Sequence, residues 1–356
     1  MKVDICESPE QVRDLLGESW DWSKVTPGIG WWEALVRGLQ YRPYYLVCKS
    51  SGQAMGCLPL MLVESWLFGK FLVSLPYLNS GGVVLQGEQG DAQVHKDVAF
   101  ALIDRAVELA DSLDVKHLEL RHEMPWEHPA FNAKREDKVH MRMALPEDSV
   151  TLLAKYKSKL RSQLKKSGEN EFEIAFGGEE LLDGFYQVFS ENMRDLGTPV
   201  YSRGLFKEIL RRLDASASGV ASAELCVVRL GGAPICGALL VHQGERSEVP
   251  SASALRKFNA TSVNMWMYHK LLERAIEKGA KEFDFGRSSV GSGTYKFKEQ
   301  WGAKPQSAVW QYYVRRGDPA DMRPDSQGKK RLVQIWQKLP VRLTRWIGPT
   351  IVRGIP

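Results

Sequence analysis

The chain has 356 residues, a length for about two domains at roughly 150 residues each. A hydrophobic share of 44% and a charged share of 26% are ordinary for a globular protein and exclude disorder, collagen and coiled coil as its main state. The net charge of +5 is too mild to mark a nucleic-acid binder, so where the charges sit matters more than their sum.

Residues 1–20 carry Asp4, Glu7, Glu10, Arg13 and Asp14, which leaves no apolar core for a signal peptide. Cys6, Cys48, Cys57, Cys226 and Cys236 form no C-x-x-C pair and sit in apolar stretches, as reduced core thiols of a cytoplasmic protein would. Tyr45–Gly52 followed by Gly56–Val63 reads as strand, glycine turn, strand. The most apolar window, Gly56–Leu78, is broken by Pro59, Glu64, Lys70 and Pro76. Two short strands joined at Phe68-Gly69-Lys70 fit it better than a spanning helix, which needs about 20 apolar residues. Phe100–Leu113 has helical spacing at Leu102, Ile103, Ala106, Val107 and Ala110, and leads into a strand at His117–Arg121. His117, His122, His128 and His140 are not spaced as a metal site, so no metal is expected.

Ser149–Asn170 places Leu152, Leu153, Tyr156, Leu160 and Leu164 on one helical face. Lys155, Lys157, Lys159, Arg161, Lys165 and Lys166 share this stretch, with no acid between Thr151 and Gly168. It is either a solvated helix face or a contact for a polyanion, with Arg161 and Lys165 as candidate substrate contacts. Leu225–Gly232 followed by Gly237–Val241 then repeats the hairpin pattern. Met265–Lys278, closed by Gly279, repeats the helix that leads into a strand at Phe283–Gly286. The two sets lie about 180 and about 165 residues apart, as two copies of one α/β unit would.

The richest stretch is EFDFGRSSVGSGTYKFKEQWG, Glu282–Gly302. A strand ends at Gly286, after which Arg287, Ser288 and Ser289 crowd a loop whose glycines let backbone approach a ligand. If Tyr295–Phe297 is extended, Tyr295 and Phe297 share one face and Lys296 and Lys298 the other. Asp284, Arg287 and Lys298 together could hold an anionic substrate and stabilise developing charge. Gly328–Pro356 ends the chain with seven Lys and Arg and no acid. Leu332, Ile335, Trp336 and Leu339, then Leu343, Trp346 and Ile347 beyond Pro340, lie at helical spacing. That describes either a helix lying on anionic lipid or a tail docked on its own domain.

The doubled α/β unit, the K-x-R-x-x-x-K-K helix and the G-x-G-T-Y-x-F-K-x-x-W-G run resemble the FemAB family, the peptidoglycan interpeptide-bridge aminoacyltransferases and their relatives. Phe189–Phe206 and the D-F-G-R-S to Q-W-G-A run are similar to the FemAB-related proteins of exosortase and PEP-CTERM exopolysaccharide systems. The first half matches loosely, at Leu75-Pro-Tyr and Asn79–Gly82. The resemblance implies an α/β (α+β) chain of two tandem GNAT-like domains, with mixed sheets flanked by helices. They are expected at 1–148 and 149–316, followed by a basic amphipathic tail at 317–356.

It further implies transfer of an acyl or aminoacyl group to an amine of a cell-envelope or exopolysaccharide precursor, without metal or bound cofactor. The implied donor is an aminoacyl-tRNA or an acyl-CoA and the implied partners are a phosphate-bearing precursor and tRNA, while the basic, Trp-bearing pattern of 328–356 adds a membrane surface as a candidate partner. The expected location is the cytoplasm, including the inner face of the membrane. The family's Y-x-F-K lysine falls on Lys298, placed with Asp284 and Tyr295 as catalytic. Gly286, Arg287, Ser288 and Thr294 would line the pocket, with Tyr201, Trp266 and Tyr268 as further substrate contacts. Asp284 could be a base or a partner of Arg287. Arg256–Asn264 lacks the glycines that cradle the CoA pyrophosphate in ordinary GNAT enzymes, which disfavours acetyl-CoA, and a short linker between Gly168 and Leu181 weighs against tRNA. Two other readings stay open, an acyl-CoA-dependent GNAT N-acetyltransferase and a non-catalytic binding protein of the envelope machinery.

Overall fold

The computed structural model describes residues 1–22, 25, 27–86, 92–214, 221–318 and 327–356, with the side chains of 327–330 outside the description. The chain divides into two units. The first takes Met1–Lys138, the segment from Ser307 that carries one strand, and Arg353–Pro356; the second takes Val139–Gln306 and the helical segment up to Val352.

The first unit opens with β1 (Lys2–Cys6), α1 (Pro9–Leu16) and α2 (Ile29–Leu39). Ser8 caps α1, its Oγ accepting from Gln11 N at 3.1 Å. β2 (Arg42–Ser50) and β3 (Gln53–Ser65) form a hairpin that turns at Ser51 and Gly52, both in the left-handed region. β4 (Gly69–Val73) returns antiparallel after Phe68. Then come β5 (Val84–Leu85), α3 (Ala92–Ser112), β6 (His117–His122) and β7 (Ala133–Arg135). The sheet order is β1-β2-β3-β4-β6-β15-β7, with β5 against β3, where β15 is Val309–Val314. Its central strands are apolar on both faces because both are covered. Leu46, Leu58, Leu60, Leu72, Leu118 and Leu120 pack with Leu102, Ile103 and Ala106 of α3. Under α2, Trp32 stacks on Tyr45 with centroids 5.5 Å apart.

The second unit carries β8 (Lys138–Ala144), α4 (Ser149–Lys155), α5 (Ser158–Ser167), β9 (Phe172–Gly177), α6 (Leu182–Leu196) and α7 (Arg203–Arg212). β10 (Ala221–Leu230), β11 (Ala233–Gln243), β12 (Arg246–Ala254), α8 (Val263–Glu277), β13 (Glu282–Ser289), α9 (Gly293–Glu299) and β14 (Lys304–Ser307) follow, and later α10 (Gln327–Lys338) and α11 (Val341–Val352). The sheet order is β14-β8-β13-β12-β11-β10-β9. Leu160 and Leu164 of α5 and Met267, Leu271 and Leu272 of α8 pack with Val228, Leu240 and Phe283 of the sheet.

The internal repeat is real at the level of topology. In each unit antiparallel strands lead through one helix into a parallel neighbour: β4 and β6 across α3, β12 and β13 across α8. In register, Val73 faces Glu119 as Glu248 faces Asp284. The strand beyond each parallel pair, β15 beside β6 and β8 beside β13, comes from a distant part of the chain. The expected boundaries at 148/149 and 316/317 therefore shift. β8 belongs to the second sheet and β15 to the first, which sequence did not show because a strand of six or seven residues carries no mark of which sheet will pair with it.

Three local expectations are also corrected. The basic linker is two helices, not one, broken at Tyr156 and Lys157, both extended. Leu152, Tyr156, Leu160 and Leu164 are buried four residues apart, while Leu153 is exposed. Tyr295–Phe297 is helical, because Ser292 caps α9 with Oγ accepting from Tyr295 N at 3.2 Å. Of the two readings of the tail, docking on its own unit describes one face of it: α10 and α11 pack on α6. Of its basic residues, Lys329 and Lys330 have side chains outside the described residues. All five cysteines are free and buried. No helix of the described residues is long and apolar enough to cross a membrane.

Candidate active site

β12 and β13 run parallel, and their pairing spans only Arg246–Glu248 against Glu282–Asp284. Beyond it β12 continues to Ala254 and β13 to Ser289. Parallel strands that stop pairing at their carboxyl ends leave backbone groups for a ligand or a side chain to satisfy. Lys298 does part of this: its ammonium donates to Gly286 O at 3.0 Å and to Arg287 O at 3.1 Å. The helical turn that buries Lys298 exposes Lys296. Burial pulls the Lys298 pKa down to about 8 from its ordinary 10.5, with the Asp284 charge partly offsetting this.

Asp284 is buried and fully engaged. Arg142 Nε on β8 donates to its Oδ2 at 2.8 Å, and Gly286 N donates to its Oδ1 at 2.7 Å. His140, two residues from Arg142 on the same strand face, brings Nδ1 to 3.5 Å from Oδ2. Burial raises the Asp284 pKa, but the His140 and Arg142 contacts outweigh it and hold the carboxyl well below the carboxylate range. Asp284 therefore has a partner in Arg142, which the sequence reading did not name. Arg142 and His140 were absent from the sequence-derived site. Their i, i+2 spacing in K-V-H-M-R-M put them on one face, but nothing local says which strand that face adjoins.

Of the other candidates, Gly286, Arg287 and Ser288 lie with Lys298 at the end of β13, and Ser288 Oγ is buried with no hydrogen-bond partner among the described residues. Tyr295 is half-buried on α9 and Thr294 is exposed at its start, 3.0 Å from the capping Ser292 hydroxyl. Tyr268 is a core residue: its ring stacks on Phe285 at 5.7 Å and meets Phe297 edge-on at 5.0 Å. Trp266 packs against Phe172 at 5.3 Å on the rim of the same core. The Tyr201 main-chain oxygen accepts from the Tyr186 hydroxyl at 3.0 Å. Arg161 and Lys165 are exposed on α5, and among the described residues no hydrogen bond or ion pair links them to Lys298.

A triad-like chain lies elsewhere in this unit. Ser247 Oγ is 2.7 Å from His242 Nδ1, and His242 Nε2 is 3.0 Å from Glu224 Oε1. Ser247 is completely buried and Arg274 grips both oxygens of Glu224, so no substrate carbonyl can reach the hydroxyl. The arrangement is structural.

The first unit holds a cavity of about 350 Å³ at the carboxyl end of β6, lined by Ser80, Gly81, Gly82, Arg121, His122 and Trp126 among others. Arg121 is buried, pairs with Glu119 at 2.6 Å, donates to Leu78 O at 2.6 Å and lies 4.0 Å over the Trp310 ring. Gly82 is required here, since a Cβ would come within 2.3 Å of the His122 ring. Leu75 and Tyr77 on the same loop hold positive φ, a strain that Ser74 helps to fix by donating to Gly81 O and accepting from Arg121 N at 2.8 Å. Leu75-Pro-Tyr and Asn79–Gly82 were legible in sequence as a motif, but not as one wall of a cavity.

Residues 154–299, which hold Lys298, match the family of acetyltransferase (GNAT) domains. They adopt a GNAT-like fold. With the duplicated topology, the whole chain is a tandem GNAT-like fold, mixed α/β with two sheets flanked by helices. A crystal structure of FemX is similar over 95% of this chain and 100% of its own, at 14% identity and a TM-score of 0.62. The C-terminal domain of a protein described as a lysylphosphatidylglycerol synthetase from Agrobacterium fabrum is similar over 88% of this chain and 92% of its own, at 14% identity and a TM-score of 0.54. A tandem GNAT protein from the clavulanic acid biosynthesis pathway is similar over 87% and 97%, at 12% identity and a TM-score of 0.52. At these identities the likeness is one of fold. No curated protein matches the sequence.

Proposed function

We propose that the protein is an N-acyltransferase that moves an acyl or aminoacyl group onto an amine of a phosphate-bearing cell-envelope or exopolysaccharide precursor in the cytoplasm. The observation that carries this reading is the buried Lys298 ammonium held where β12 and β13 stop pairing, inside the GNAT-like domain. A neutral amine attacks the donor carbonyl, the new C–N bond forms, and negative charge collects on the carbonyl oxygen. A fixed cation beside that oxygen stabilises the tetrahedral state, and collapse expels the donor's hydroxyl or thiol. Arg287 and Ser288 flank Lys298 on β13 and serve as contacts for the substrate's polar groups. Asp284, bound by Arg142 and Gly286 N, anchors the end of β13 and is a poor proton acceptor.

FemX and the lysylphosphatidylglycerol synthetase domain favour an aminoacyl donor by likeness of fold. The glycine-free Arg256–Asn264 segment, a 3-10 turn at Arg256–Thr261 before α8, supports the same choice over CoA. An acyl-CoA donor remains the second reading, favoured by the acetyltransferase match itself.

The test is a donor screen, charged tRNAs against acyl-CoAs, with mass detection of modified amine precursors. Transfer by the wild type and its loss in Lys298→Ala, with an unchanged melting temperature, support the assignment. Wild-type turnover in Lys298→Ala sinks it, and no transfer with any donor points to the binding-protein reading.

A further inference from the structure

We propose that α10 and α11 dock the protein onto an anionic lipid surface, independently of the acyl-transfer reading. Each helix is already half used. Gln337 Nε2 donates to Asp195 O at 2.9 Å, Arg194 donates to Leu339 O at 3.1 Å, and Arg345 Nε donates to Ser190 Oγ at 2.6 Å. Val333 fills the space beside Gly197, and Gly348 lies against Val200. These contacts fix one face of each helix to α6 and to the loop after it. They also fix which residues point away.

The opposite faces carry exposed apolar residues among polar and basic ones. Leu332 is 67% exposed, Ile335 53% and Trp346 78%, with Leu343 exposed beside Trp346. A helical projection puts Leu332 and Ile335 on one stripe of α10 with Arg331 and Lys338 along its edge. On α11, Leu343 and Trp346 share a stripe with Arg342. Arg331, Lys338 and Arg342 are exposed and form no hydrogen bond or ion pair among the described residues. Gly328–Pro356 contains no acid. Exposed Trp and Leu between unpaired cations need an occupant that supplies hydrocarbon and negative charge in one plane, which is an anionic bilayer interface. A nucleic acid supplies the charge but leaves Leu332 and Ile335 in water. A second copy brings the same positive charge. At 12 residues each, the helices are about 18 Å long and cannot cross a hydrocarbon core of about 30 Å, so they lie on it.

The experiment is co-sedimentation of the full chain with vesicles of phosphatidylcholine alone or with added phosphatidylglycerol, at low and high salt. It compares wild type, L332S/W346S and R331Q/K338Q/R342Q, with sedimentation velocity for self-association. All five positions are exposed, and melting temperatures confirm that the variants fold. Binding to phosphatidylglycerol vesicles is expected, weakened by salt. It should fall on the order of a hundredfold without the three cations and at least about tenfold without the two apolar residues. Three results overturn the proposal: no binding to phosphatidylglycerol vesicles, binding that both variants retain in full, or wild-type self-association that L332S/W346S abolishes while vesicle binding is absent.

Discussion

Arg142 on β8 and Asp284 on β13 lie 142 residues apart in sequence and meet at 2.8 Å, both almost completely buried. The pair ties the strand that opens the second unit to the strand that ends beside Lys298. Its worth lies in position more than in net stability, since burying two charges costs much of what their attraction returns. Removing one partner is different, because the other is left charged and dry. Arg142→Met should destabilise the protein by about 3–5 kcal/mol, while Arg142→Met with Asp284→Asn should recover much of that loss. Denaturant unfolding of the two variants checks it, and equal losses would mean that the pair does not couple.

Lys298 gives the reaction an alkaline limb. Its pKa of about 8 means that the ammonium loses its proton as pH rises through that value, so an activity needing the charge falls above about pH 8. Lys298→Arg stays charged and should lose this limb even where its rate is lower. Lys298→Ala should cost on the order of a hundred- to a thousandfold in turnover at neutral pH. The stability sign runs the other way. The unfolded lysine titrates near 10.5, so between about 8 and 10.5 the unfolded chain holds more protons, and this group makes stability rise with pH there. A pH–rate profile of Lys298→Arg identical to wild type would remove Lys298 from the limb.

His122 gives the first unit an acid sensitivity. Burial draws its pKa down to about 4, with the Gln311 hydrogen bond partly offsetting this. Val83 N donates to its Nε2 at 3.4 Å and its Nδ1 lies 3.0 Å from Gln311 Oε1, which fits a neutral ring with the proton on Nδ1. The unfolded histidine gains a proton near 6.5, so stability from this site is full above 6.5 and drains as pH falls toward 4, by about 3 kcal/mol in all. His122→Gln should flatten the difference between urea unfolding at pH 7 and pH 5 relative to wild type. An unchanged difference would place the acid sensitivity on other groups.

Gly348 inverts the usual helix rule. Glycine to alanine inside a helix commonly stabilises by about 1 kcal/mol. Here a Cβ would stand 2.9 Å from Val200 N, a backbone atom that cannot swing aside. Gly348→Ala should therefore destabilise by about 1–3 kcal/mol, read as a lower melting temperature. A rise would mean that α11 is free to lift from its seat.

The hairpins at 42–65 and 221–243 were legible because β-branched and aromatic residues around glycine turns are a local signal, as were α3 and α8 from their apolar spacing. Lys298 and the end of β13 stood out through glycines and hydroxyl residues beside a strand. The short α9 leaves an extended run open in sequence because seven residues hold too few turns for a helical period to show, and only the Ser292 cap marks it. Leu153 illustrates the opposite error, an apolar residue in helical register that a break at Tyr156 and Lys157 leaves outside.

The sequence by itself determined the two hairpins and the helices α3 and α8, that the α/β unit occurs twice, and that the positive charge gathers in a linker and a tail. Each of these depends on neighbours within a few residues. Only the tertiary structure decided that β8 lies beside β13 and β15 beside β6, that Arg142 holds Asp284, and that Lys298 is buried on backbone carbonyls while Lys296 is in water. Strand pairing joins residues far apart in the chain, and burial shifts a pKa only once the surrounding groups are in place, so neither is written in any local pattern.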